Sequence, residues 1–139
     1  MNAMLDYART FIGRPYIWGG DGTTKKDGGF DCSGFVLECL WAFGYYDGGD
    51  TTADGLRKWC DQHKWFKVDD IGKQGLCPGA LVFFGSGKAT HVAIALDEKL
   101  MIEAGGGGSK CTSADASTGF VRIRPITNRN DFLCAYERT

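Results

Sequence analysis

Apolar residues recur at helical spacing three times in the first half of the chain and gather into short runs in the second half. Met4, Leu5, Ala8 and Phe11 follow the helical period, which predicts a short helix over residues 2–12 that Gly13-Arg14-Pro15 stops. Cys32, Phe35, Val36, Cys39, Leu40 and Phe43 fall at i, i+3, i+4, i+7, i+8 and i+11, a helical stripe with Asp31 as its N-cap and Gly44 at its end. A third helix is expected from a Thr51 or Thr52 cap through Ala53, Leu56, Trp59 and Cys60. From the Pro78-Gly79 turn onward the pattern changes. Residues 81–84, 91–96, 100–104, 120–125 and 132–136 read as short strands. Helices first and an antiparallel sheet of about five strands afterwards make an α+β layout, with the N-terminal helices packed on the sheet.

Composition narrows the classes. With 139 residues, 43% of them hydrophobic and 13% aromatic, one domain over 1–139 is expected, able to bury a core without staples. The formal net charge is −1, with acids and bases interspersed, so neither nucleic acid nor an acidic membrane surface is the expected partner. No stretch reaches the ~20 apolar residues of a spanning helix, and stable membrane insertion is not expected. Six cysteines stand at 32, 39, 60, 77, 111 and 134. Residues 1–10 carry Asp6 and Arg9 and no apolar run, unlike a secretory signal, so most of these thiols are expected to be reduced core fillers of a protein made in a cytoplasm. Cys60-x-x-His63 has ligand-like spacing, but no second close pair follows it, and neither a metal nor another cofactor is expected.

Cys32 and His91 are the residues with the clearest chemistry. Cys32 opens its helix, where unpaired N–H groups and the positive dipole end favour a thiolate, and it is flanked by Asp31, Ser33 and Gly34, which build cores poorly. Cys39, Cys60 and Cys134 read as structural thiols. His91 opens a strand in which bulky Val92, Ile94 and Leu96 alternate with His91, Ala93 and Ala95, and the small-residue face is expected to leave room for the helix bearing Cys32. The other histidine, His63, lies in the polar stretch Asp61-Gln-His-Lys64 and is expected at the surface. A thiol and an imidazole in this order suit nucleophile and general base, and a third group usually orients the imidazole. If Asp97-Glu98-Lys99 closes a three-residue hairpin, Leu96 faces Leu100 and Ala93 faces Glu103. Glu103 then becomes the diagonal neighbour of His91 at roughly 7–8 Å between backbones, within side-chain reach. A two-residue loop would turn Glu103 to the other face. Tyr16, Trp18 and the glycines after them are expected to line a cleft, and Gly105–Gly108, which lacks the ending of a phosphate loop, to form a mobile rim beside Glu103.

Five segments in this order resemble the NlpC-type family of cell-wall peptidases, papain-like cysteine enzymes that cleave peptidoglycan stem peptides. They are Pro15-Tyr-Ile-Trp-Gly-Gly, Phe30-Asp-Cys-Ser-Gly-Phe, Pro78-Gly-Ala-Leu-Val-Phe-Phe, His91-Val-Ala-Ile-Ala and Met101-Ile-Glu-Ala. The resemblance implies a papain-like catalytic domain in which Cys32 is the nucleophile and His91 the general base, then the acid for the leaving amine. It places Tyr16 beside the nucleophile, helping to polarise the scissile carbonyl, and Asp31 and Ser33, with Trp18 in the same cleft, against the stem peptide. Backbone N–H groups at the helix start, that of Cys32 included, would be oxyanion donors. Two positions depart from the family pattern: the third catalytic position, most often histidine, is Glu103, and the usual Gly-Asp before the first long strand is Gly79-Ala80.

The function implied is hydrolysis of an amide in or next to the stem peptide, at the γ-glutamyl–diamino-acid link or the muramoyl–alanine link, by a monomer acting through a Cys32 thioester. An acyltransferase on the same fold and a non-catalytic wall-binding module are the alternatives. The lone domain suggests a phage or prophage endolysin, held in the cytoplasm until release to the periplasm or wall.

Overall fold

The computed structural model describes residues 2–17, 30–106 and 119–139. Within them, helices α1 (Ala3–Arg9), α2 (Cys32–Ala42) and α3 (Ala53–Gln62) precede strands β1 (Phe66–Val68), β2 (Leu81–Phe84), β3 (His91–Ala95), β4 (Leu100–Gly105), β5 (Phe120–Pro125) and β6 (Phe132–Glu137). The strands form one antiparallel sheet in the order β1-β6-β2-β3-β4-β5. The α+β layout expected from the pattern is therefore present, with six strands rather than five. The extra strand, β1, has three residues, too few to display an alternation.

Each helix begins on a side-chain cap. Asn2, Asp31 and Thr52 accept from the backbone N–H of Leu5, Gly34 and Gly55, satisfying donors that have no partner within the helix. α1 is shorter than the expected 2–12; its chain leaves through turns to Gly13, whose φ of 93° suits a residue without a Cβ. α2 is buried well beyond its predicted stripe, since Ser33, Gly34 and Leu37 are covered as well. It lies between the sheet and both other helices.

The expectation about the face of β3 is reversed. Val92, Ile94 and Leu96 share a core with Phe35, Val36 and Leu40 of α2, while Ala93 and Ala95 belong to a second core with Val82, Phe84 and Met101. The bulky face is the one that removes most apolar area from water against a helix. On the far face the two alanines leave space that Phe84 and Met101 fill.

The segment Asp97-Glu98-Lys99 does close a hairpin. Ile94 pairs with Ile102 and Ala95 with Met101, and the Leu96 N–H donates to Leu100 O at 2.8 Å. Asp97 Oδ1 accepts from the N–H groups of both Lys99 and Leu100 at 2.8 Å, which fixes the three-residue turn.

A carboxylate ties α3 to the loop that leads into β3. Asp54 Oδ1 accepts from Ala89 N at 2.8 Å and from Arg57 Nε at 2.9 Å. The Ala89 hydrogen bond, aided by Arg57 and against the pull of burial, lowers the Asp54 carboxyl from 3.8 to about 2. Asp54→Ala is expected to destabilise the fold by about 1–3 kcal/mol in denaturant titration at neutral pH. Because the folded value is the depressed one, that contribution is present above 3.8 and disappears as pH falls through about 2. Equal stability of parent and variant at pH 7 would show that the loop is held by other contacts.

Candidate active site

Cys32 is the first residue of α2, set there by the Asp31 cap, whose Oδ1 accepts from Gly34 N at 2.7 Å. The cap holds the backbone so that the thiol leaves the helix at its start, half-buried, on the wall of a cavity of about 220 Å³. Tyr16, His91, Glu103, Gly105 and Gly106 line the same cavity, together with Arg122, Arg124 and Arg129. Tyr16 is placed by its backbone: its N–H donates to Gly119 O at 2.8 Å, and the next residue, Ile17, donates to Phe30 O at 2.9 Å, two residues before Cys32.

The three residues expected to act together are together. His91, at the first position of β3, shares its cavity with the Cys32 thiol, which acts on the ring's proton affinity, and its Nε2 lies 2.7 Å from Glu103 Oε1. With Nε2 taken by the carboxylate, Nδ1 is the nitrogen left for the thiol. Both His91 and Glu103 are buried, Glu103 at 2% exposure. Its second oxygen accepts from Arg122 Nε at 3.1 Å, and Arg124 stands 3.9 Å away. The hairpin register thus delivers Glu103 to the face expected from loop length.

Burial and charge compete at this pair. Burial disfavours the His91 cation, yet the interaction with Cys32 and the hydrogen bond the ring donates to Glu103, with the charges of both, outweigh it and raise the imidazole to about 9. Burial likewise pushes the Glu103 carboxyl up, but the hydrogen bond and charge of His91, then those of Arg122, bring it below the usual carboxylate range. The arrangement favours an imidazolium between two acidic groups. It can store a proton beside a thiol and release that proton to a departing amine.

Asp31 and Ser33 line a wider neighbouring cavity of about 840 Å³ that shares Tyr16, Cys32 and Thr90 with the first. Asp31 is engaged as the cap, and Ser33 Oγ lies 3.4 Å from its Oδ1. Trp18 and the glycines after it, Cys111, and Gly107 and Gly108 lie outside the described residues.

Cys39, Cys60 and Cys134 are buried and free, as structural thiols should be, and desolvation pushes Cys39 and Cys60 up to about 12. Cys77 departs from the core-filling expectation: it is exposed. His63 is exposed as expected, stacked on Trp59 with ring centroids 3.9 Å apart, while Cys60 is fully buried. Among the described residues, no group of three or more His, Cys, Asp or Glu could hold a metal ion.

Sequence reasoning missed the arginines. Arg122 and Arg124 stand two apart on one face of β5, a pattern visible in Phe120-Val-Arg-Ile-Arg. Which neighbour they face depends on a register that no short loop sets.

Comparison with known proteins places the family and the fold. The model of the NlpC/P60 family matches residues 13–125. Over 106 residues the chain is 29% identical to a γ-D-glutamyl-L-lysine dipeptidyl-peptidase of Bacillus cereus; the match covers 71% of this chain and 27% of that protein, so the chain spans about a quarter of that relative's length. Among solved structures, it is similar to the NlpC/p60 domain of the peptidoglycan hydrolase SagA, with 27% identity, a TM-score of 0.69 and 99% of both chains covered. Two proteins of Mycobacterium tuberculosis share the fold. The peptidoglycan hydrolase RipB does so at 24% identity and TM-score 0.66, over 96% of this chain and 62% of that one. RipD, described as a non-catalytic NlpC/p60 domain protein adapted to peptidoglycan binding, does so at 19% identity and TM-score 0.66, over 96% and 93%.

Proposed function

The chain belongs to the NlpC/P60 family, and from that premise we propose that it is a cysteine peptidase or amidase hydrolysing an amide bond in or next to the peptidoglycan stem peptide. Since the fold is shared with a protein described as non-catalytic, the side chains must carry the argument. The observation that carries it is the Cys32–His91–Glu103 array on the wall of one cavity, with a 2.7 Å contact between base and carboxylate.

In the proposed mechanism the Cys32 thiolate attacks the scissile carbonyl, and negative charge develops on its oxygen. As the first helical residue, Cys32 has an N–H without an intrahelical acceptor, which serves that oxygen as a donor in this mechanism, and Tyr16 borders the same space. His91 gives its proton to the amine nitrogen, the C–N bond breaks, and a thioester remains on Cys32. His91, now neutral, takes a proton from water; the hydroxide attacks the thioester, the C–S bond breaks, and the acid product leaves as the Cys32 thiolate is restored beside the His91 imidazolium. Glu103 keeps the imidazole oriented and stabilises its cation throughout.

For the bond cut, the Bacillus cereus relative favours the γ-glutamyl–diamino-acid link, with the muramoyl–alanine link as the alternative. Purified sacculi incubated with the reduced protein are expected to release soluble fragments whose new termini, read by mass spectrometry, name the bond. Products extended by a second amine would replace hydrolysis with acyl transfer. Sedimentation with sacculi without release of fragments would replace catalysis with wall binding, the reading that RipD's description supports for this fold.

A further inference from the structure

A carboxylate with 2% exposure needs partners on both oxygens. Glu103 gives Oε1 to His91 and Oε2 to the Nε of Arg122. Arg122 is its direct partner across the β4–β5 pair. The chain makes room for this contact with two glycines. A Cβ on Gly105 would stand 2.8 Å from Glu103 Oε2, and one on Gly106, where φ is 82°, would stand 2.7 Å from a terminal nitrogen of Arg122.

The other cations of the cavity do not do the same. Arg129 is engaged by Asp131, with contacts of 3.0 and 2.9 Å. Arg124 stands 3.9 Å from Oε2, beyond hydrogen-bond distance.

We propose that Arg122 is a positioning residue of the reaction centre, whose guanidinium fixes Glu103 so that His91 is presented to Cys32. The proposal rests on the reading of Cys32 and His91 as nucleophile and base, and extends it outward by one residue. Its physical reason lies in the second half of each proton transfer. When His91 has given its proton away, Glu103 faces a neutral ring and would be a buried anion without a counter-charge. Arg122 supplies that charge at every stage. A neutral residue in the third position would have no such need, so the carboxylate and the arginine across from it belong together.

The groups facing this centre are Tyr16 from the segment after α1, Cys32 from α2, Glu103 from β4, Arg122 and Arg124 from β5, and Arg129 with Asp131 from the segment before β6. Arg122 is among the groups that hold the Glu103 carboxyl down, after the opposing effect of burial and the larger help of His91. Its removal should let Glu103 take up a proton at higher pH, and the acid side of any Cys32 reactivity should move upward with it.

The test uses Arg122→Met, with two readouts. In the first, the rate of Cys32 alkylation by iodoacetamide is followed against pH by peptide mass mapping, which needs no wall substrate. In the second, sacculus hydrolysis is resolved into kcat and KM. The expected result is an acid limb moved to higher pH in both profiles and kcat lower by roughly 10- to 100-fold, as misplacement of a reacting group produces, with KM little changed. Arg122→Lys should recover most of kcat. Folded Arg122→Met with an unmoved alkylation profile would overturn the proposal, as would a change confined to KM, which would make Arg122 a substrate contact. Should Arg122→Met fail to fold, Arg122→Gln, which keeps a donor without the charge, takes its place: an upward shift of the acid limb supports the role and an unmoved limb overturns it. If the parent leaves sacculi intact, the hydrolytic reading fails, while the alkylation profile still decides the role of Arg122.

Discussion

Cys32→Ala is expected to lower release of wall fragments by on the order of 10⁴-fold or more, the scale on which loss of a covalent nucleophile acts. No other described thiol can take its place. Cys39 and Cys60 are buried and pushed up to about 12, Cys134 is also buried and raised, and Cys77 lines a separate cavity without His91 or Glu103. The same substitution should leave the fold unchanged, because the thiol sits half-buried on a cavity wall rather than inside a core. Cys32→Ser sharpens the test. It keeps size and polarity, yet a hydroxyl beside the same imidazole stays protonated, and turnover should remain close to that of Cys32→Ala. Fragment release by Cys32→Ala at the rate of the parent would remove Cys32 from the chemistry, whatever the role of His91.

How far this site could be read in advance follows from the length of the connections. Cys32 announces itself because the helix stripe and the Asp31 cap are local signals, and the cap geometry places the thiol where the pattern puts it. Glu103 was legible because the turn at Asp97–Lys99 is short: three residues fix the register, and the register fixes the face. Arg122 was not legible for the converse reason. β4 and β5 are joined by residues 106–119, long enough to allow any register, so nothing local says that Arg122 meets Glu103. β1 escaped because Phe66-Lys-Val is too short to show a period and is recruited by β6 alone. The face that β3 turns to α2 is not set by where a helix finds room. What α2 covers is Val92, Ile94 and Leu96, the larger apolar area, and the small face is filled from the other side of the sheet. His91 can belong to that far face and still meet Cys32 because it is the first residue of its strand, at the rim of the sheet.

Glu103→Gln carries the second large effect, and its signature is a pH profile. In the proposed mechanism the imidazolium of His91 is the proton store for the leaving amine, and the raised value of about 9 keeps that store filled through neutral pH. A group whose acidity is weakened by its anionic neighbours loses that support when one of them is removed. With glutamine at 103 the negative charge is gone, while Arg122 and Arg124 remain close to the ring's partner. The cation of His91 is then less favoured, and the alkaline limb of kcat/KM should move from about 9 toward lower pH. The rate at the optimum should fall by roughly 10²-fold, the lower end of what proton transfer contributes, and by less than in Cys32→Ala. Glu103→Ala should fall further, because it also removes the atom that holds Nε2, freeing the ring to turn away from the thiol. An alkaline limb that stays in place in Glu103→Gln would mean that Cys32 alone raises His91. Full activity in Glu103→Ala would mean that another group, or none, orients the ring, and the contact of 2.7 Å would then be a feature of the fold and not of the reaction.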